Sequence, residues 1–104
     1  MTDIVLVLTT APEPIAEPMA RSLVDERLAA CVNVHAPMTS FYRWHGEVQQ
    51  DGERQLVIKT TRARVSAVQA RVRELHSYEL PEFLVVAVEE GGEGYIDWVK
   101  SGVR

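Results

Sequence analysis

A hairpin too long for a small domain to bury by itself dominates the middle of this sequence. Cys31, Val32, Val34, Phe41, Tyr42 and Trp44 are strand formers, His45-Gly46 makes a tight turn, and the return runs from Glu47 to Thr61 with Leu56-Val57-Ile58 as its buried part. Each arm needs ~14 residues, close to ~45 Å at ~3.3 Å per residue, whereas strands of small sheets are usually a few residues long. Counting back from the turn brings Pro37 close to Asp51-Gly52-Glu53-Arg54 on the other arm. A proline facing a glycine predicts a bend with a bulge. The outer half of the hairpin then overhangs with Phe41, Tyr42 and Trp44 on it, and an exposed edge with large aromatics is a liability for a lone chain. Copies of the chain are therefore expected to pair through this hairpin.

The flanking segments supply a sheet and helices. Ile4-Val5-Leu6-Val7-Leu8 is a continuous apolar run of branched residues, which predicts a first strand buried on both faces. Thr9-Thr10-Ala11-Pro12 reads as a cap with a first-turn proline, and Ile15, Met19, Leu23 and Leu28 follow at near-helical spacing, predicting a helix that ends near Ala30. Pro18 costs that helix about 3 kcal/mol unless it falls in the opening turn, so the regular part is expected to start nearer Pro14 or Ile15. A second helix is predicted over residues 62–76, with Val65, Val68, Val72 and Leu75 as its apolar stripe. Leu80-Pro81 breaks it, Phe83-Leu84-Val85-Val86-Ala87-Val88 is a second continuous apolar strand, and a Gly-rich turn leads to a short terminal helix over residues 95–99. The order β-α-β-β-α-β with right-handed crossovers predicts an α+β, ferredoxin-like fold. Its four-stranded sheet has the first and third strands central and both main helices on one face.

Composition bounds the function. A chain of 104 residues, 46 % of them hydrophobic, is one domain over residues 1–104 with enough apolar mass for a core. Apolar runs of five or six residues fall far short of a membrane span, and the opening Met1-Thr2-Asp3 has no basic region or cleavage site, so no secretory signal is expected. The lone Cys31 excludes an intramolecular disulfide and suits a reducing compartment, which makes the cytoplasm the expected location. With 15 acidic against 11 basic side chains the net charge is −4, so attraction to nucleic acid or anionic lipid is not expected.

Several segments in register resemble one family. Glu26-Arg27-Leu28-Ala29-Ala30-Cys31-Val32-Asn33, Thr39-Ser40-Phe41-Tyr42-Arg43-Trp44-His45-Gly46, Ile58-Lys59-Thr60-Thr61, Glu74-Leu75-His76-Ser77-Tyr78-Glu79-Leu80-Pro81-Glu82 and Tyr95-Ile96-Asp97-Trp98 resemble the CutA family of divalent-cation tolerance proteins. The likeness covers nearly the whole chain. It implies a ferredoxin-like subunit in a homotrimer built like the PII signalling proteins, a role in tolerance to copper and other divalent cations, and no catalytic activity or required cofactor. The family's proposed metal ligands include a cysteine on the first strand and two adjacent histidines at the end of the second helix. This chain has Thr9 at the first position and Leu75-His76 at the pair.

The candidate metal ligands are His76, Cys31 and Glu82, with copper or another divalent cation as the ion. Each has a structural reading beside it: His76 as a helix-end residue bonding a terminal carbonyl, Cys31 as a small side chain for close packing at a helix-to-strand junction. His35 and His45 have no neighbouring ligand at the spacing of a metal motif and read as surface or packing residues. A ligand cleft is expected where Tyr42, Trp44, Lys59, Tyr78 and Glu79 meet near His76 and Glu82, flanked by segments of neighbouring subunits; the same aromatics also suit the sealing of an interface. Catalysis is not expected, because nothing activates a nucleophile or supplies an oxyanion hole, and the first strand is followed by no glycine-rich phosphate loop. An alternative function is a PII-like signalling scaffold whose clefts take a small anionic ligand, with Lys59 and Arg43 as charge partners.

Overall fold

In the computed structural model, which describes residues 1–104, the first apolar run continues past its aliphatic stretch to make β1, Ile4–Ala11. Thr9, Thr10 and Ala11 belong to this strand and do not cap the helix, because each has a partner in Leu56, Gln55 and Arg54 of β4, Glu47–Thr61. Pro12 takes the cap position with an extended backbone, and its carbonyl accepts from the N–H groups of Ile15 and Ala16. Helix α1, Glu13–Asp25, therefore starts earlier than the sequence suggests and holds Pro18 in its interior. Pro18 is tolerated because it lies on the water-facing side, where the Pro14 carbonyl it leaves without a helical donor can bond solvent. The opposite side buries Ala16, Met19, Ala20 and Leu23 at the spacing of one helical face.

The helix stops at Asp25, five residues before Ala30. Arg27 takes a left-handed backbone, φ +59°, which folds the chain back so that the N–H groups of Leu28 and Ala29 both reach the Leu23 carbonyl. Such a wrap usually needs glycine or asparagine, so no residue in the sequence announced it. The chain then enters β2, Cys31–Val34, crosses His35, Ala36 and Pro37, and resumes as β3, Met38–Trp44. Val34 faces Leu56 and Met38 faces Glu53, which sets three residues on this arm against two on the other. This is the bulge that Pro37 implies. Arg54 fastens it, donating to the His35 carbonyl at 2.7 Å and to Glu13 and Glu17 of α1 at 3.2 and 3.0 Å. At the far end Trp44 pairs with Glu47, and His45 and Gly46 at φ +50° and +81° form the two-residue turn whose twist matches the strands it joins.

The sheet runs β2-β4-β1-β5, antiparallel throughout, with β1 and β4 central. A single turn of tight helix at Arg62–Arg64 leads into α2, Val65–Leu75, whose Val68 and Val72 join Met19 and Leu23 over Val5, Val7, Leu56 and Ile58. Both main helices thus cover one face of a ferredoxin-like sheet. The terminal helix α3, Glu93–Gly102, meets the other face: Lys59, which alternates with the inward Ile58, reaches Tyr95.

The last strand departs from its sequence pattern. β5, Leu84–Ala87, has four consecutive apolar residues yet pairs only with β1, and Leu84, Val85 and Val86 are 55, 40 and 44 % exposed. The overhang is equally bare, with Phe41 and Val48 largely exposed on β3 and β4. The molecule measures 45 × 25 × 24 Å, and no helix is long and apolar enough to cross a membrane.

Candidate functional site

The cleft of interest forms at the point where β4 leaves the sheet and enters the overhang. Its floor comes from Thr10 and Glu53, one wall from Tyr42, Arg43 and Trp44 of β3, and the other from the irregular segment after α2. The open cleft has a volume of about 700 Å³, and both of these walls belong to one chain.

An irregular segment holds a fixed wall only if side chains tie its backbone down. His76 does so first: its Nε2 donates to the Thr10 carbonyl at 2.6 Å, and its Nδ1 accepts from the Tyr78 N–H at 3.1 Å. A carbonyl accepts only and an N–H donates only, so these partners assign the neutral tautomer with its proton on Nε2. Both ring nitrogens are therefore engaged. The fully buried Thr9 hydroxyl donates to the Glu82 carbonyl at 2.6 Å, and Gln55 Nε2 donates to Glu82 Oε2 at 3.0 Å and to the Thr9 carbonyl at 2.7 Å. Thr9 thus acts as a tie between β1 and the wall.

Tyr78 reaches across the cleft to donate to Glu53 Oε2 at 2.9 Å, and its ring lies 4.5 Å from that of His76 between centroids. Tyr42 donates to Asp51. Burial, then the hydrogen bond to Glu53, pushes the Tyr78 phenol well above the ordinary tyrosine range; the hydrogen bond to Asp51 chiefly raises Tyr42. Both hydroxyls therefore stay protonated donors at physiological pH. A tyrosine raised in the folded state keeps its full stabilising contribution below the unfolded value of about 10 and loses it as pH rises through the folded value. Alkaline titration followed by near-ultraviolet absorbance is expected to show Tyr42 and Tyr78 ionising later than in denatured protein, with folding stability falling above pH about 10. Ionisation of all three tyrosines at the denatured-state pH would contradict this.

Tyr42, Trp44, Tyr78, Glu79 and Glu82 thus share one cleft. Lys59 does not. It pairs with Leu6 on β1, four residues or roughly 13 Å along the strand from Thr10. Its ammonium sits 5.5 Å from the centre of the Tyr95 ring, with Nζ 3.3 Å from the phenol oxygen. Cys31 faces Lys59 across β2 and β4, so it too lies away from His76 and Glu82. No three His, Cys, Asp or Glu side chains come together in a way that could hold a metal ion. Glu53 and Thr10 escaped sequence reasoning: Thr10 reads as a helix cap and Glu53 as an ordinary polar residue of the hairpin arm. The bulge was the available signal, because it places Glu53 at the base of the overhang.

Residues 4–102 match the family model described as CutA1 divalent ion tolerance protein. The divalent-cation tolerance protein CutA of Thermus thermophilus is 43 % identical over 97 % of this chain and 97 % of its own length. Human protein CutA is 40 % identical over 90 % of this chain but 52 % of its own length, so the chain spans about half of that relative. Among solved structures, CutA from Xylella fastidiosa superposes with a TM-score of 0.96 at 40 % identity, covering 99 % of this chain and 100 % of that one. A protein from Nostoc described as PII-like CutA gives 0.91 at 39 % identity, covering 96 and 97 %. Named locations vary among the relatives: the Arabidopsis thaliana protein is called chloroplastic and the Archaeoglobus fulgidus structure periplasmic.

Proposed function

Because this chain belongs to the CutA1 family of divalent ion tolerance proteins, we propose that it acts in divalent-cation tolerance as a cytoplasmic homotrimer, by binding rather than by catalysis. The observation that carries the assembly is β5, a strand with the composition of a buried one whose Leu84, Val85 and Val86 face water in the single chain. The bare hairpin arm with Phe41 and the exposed, stacked pair Tyr95 and Trp98 on α3 add apolar surface of the same kind. Copper binding is expected to be weak, because His76 spends both nitrogens on Thr10 and Tyr78 and stands apart from Cys31.

Light scattering with copper titration on the same sample tests both halves. The expected result is the mass of three chains with shallow copper binding that His76→Ala and Cys31→Ser leave nearly unchanged. A monomeric mass would overturn the assembly. Tight binding abolished by either substitution would overturn the weak-metal reading.

A second reading, a PII-like signalling trimer, is favoured by the description of the Nostoc structure as PII-like. Within one chain Arg43 lines the cleft and Lys59 lies beside α3, so an anionic ligand that uses both would have to bridge neighbouring chains.

A further inference from the structure

The cleft carries the wrong charge for an anion and the wrong geometry for a compact metal ion. Glu53, Glu79 and Glu82 line it against the single guanidinium of Arg43. These carboxylates do not converge with other donors on one point, which a small divalent ion requires. Tyr42, Trp44 and Tyr78 line the same space, and aromatic rings attract cations through their electron-rich faces. Glu53 is only 8 % exposed and receives a hydrogen bond at Oε2 from Tyr78, while its second oxygen has no protein donor and is still reached by solvent. A carboxylate oxygen that opens onto the cleft can take a charged N–H donor, a stronger hydrogen bond than a neutral one. About 700 Å³ is also the volume of a site for an organic molecule, not for a bare ion.

We propose that this cleft binds an organic cation, a protonated amine on an alkyl chain, with the carboxylates of Glu53, Glu79 and Glu82 as charge partners and the rings of Tyr42, Trp44 and Tyr78 against its apolar part. The proposal rests on the chain acting by binding and not on its oligomeric state, so light scattering on the same samples separates a failed amine site from a failed assembly.

The test is calorimetry at low ionic strength on the full chain, with spermidine, Nα-acetyl-lysinamide, magnesium chloride and inorganic phosphate as separate titrants. Spermidine is expected to bind more tightly than magnesium, and phosphate not at all; the lysinamide arm reports whether a lysine side chain serves as well as a free polyamine. Glu79→Gln should weaken amine binding about 2- to 5-fold and Arg43→Gln should tighten it by a similar factor, the range for one partly exposed charge. Both residues are exposed, so neither change threatens folding. Opposite signs are the signature, because a merely structural role for either residue cannot produce them. Amines no tighter than magnesium, or both substitutions shifting affinity the same way, would overturn the proposal.

Discussion

Leu23→Ala is expected to lower the melting temperature by roughly 10–30 °C at fixed protein concentration. Leu23 is wholly buried among residues of β1, β4 and α2, and its methyl groups have no route to water. Removing them forfeits both the transfer free energy and the contacts around the cavity left behind, about 2–5 kcal/mol for a leucine in a packed core. A domain of this length loses about 4–8 °C per kcal/mol. The backbone of residue 23 also accepts two N–H groups that end α1, but alanine preserves that carbonyl, so the loss reports packing alone. Val24→Ala, one residue on and exposed, should move the transition by a small fraction of this. Calorimetric scans of the two variants side by side check the assignment. Equal shifts would mean that the buried face of α1 lies elsewhere.

The second large effect concerns association. Leu84→Lys should turn the proposed assembly into single chains of 11.7 kDa. Leu84 is more than half exposed in the isolated chain, so a lysine there keeps its ammonium in water and costs the fold little. If β5 is covered by a second copy, the same ammonium has to be desolvated against apolar surface, at a cost of several kcal/mol. Light scattering and circular dichroism together separate these cases. A folded protein with unchanged mass would show that β5 is not the covered surface.

The sequence was most informative where one physical demand acts alone. Tight-turn chemistry located His45-Gly46, Pro37 located the bulge although Gly52 turns out to face Thr39 and not the proline, and 3.6-residue spacing located the inner faces of α1 and α2. It was less informative where distant groups decide the outcome. Nothing local stops α1 at Asp25, because the left-handed Arg27 is held by bonds to Leu23 rather than by its own preference. Thr9 to Ala11 looked like a cap because their partners lie more than forty residues away on β4. Topology put β5 at an edge, but its apolar run did not reveal how bare it is in the single chain, since hydrophobicity records that a surface is covered and not which chain covers it. Among the site residues, Tyr42, Trp44, Tyr78, Glu79 and Glu82, which the motifs suggested as a group, line one cleft of the chain. Lys59 was grouped with them although its place beside Leu6 sets it roughly 13 Å along the strands from Thr10.

One consequence follows from β4 being a single unbroken strand. Residues 54–61 are clamped beside β1, while residues 47–53 extend outward with β3 as their sole pairing partner. Glu53 sits at the joint, so whatever steadies the free portion also fixes one boundary of the cavity, and whatever fills the cavity stiffens the free portion. Thermodynamic reciprocity makes the two effects equal: a solute that favours docking of the arm is itself held more firmly, by the same factor, once docking has occurred.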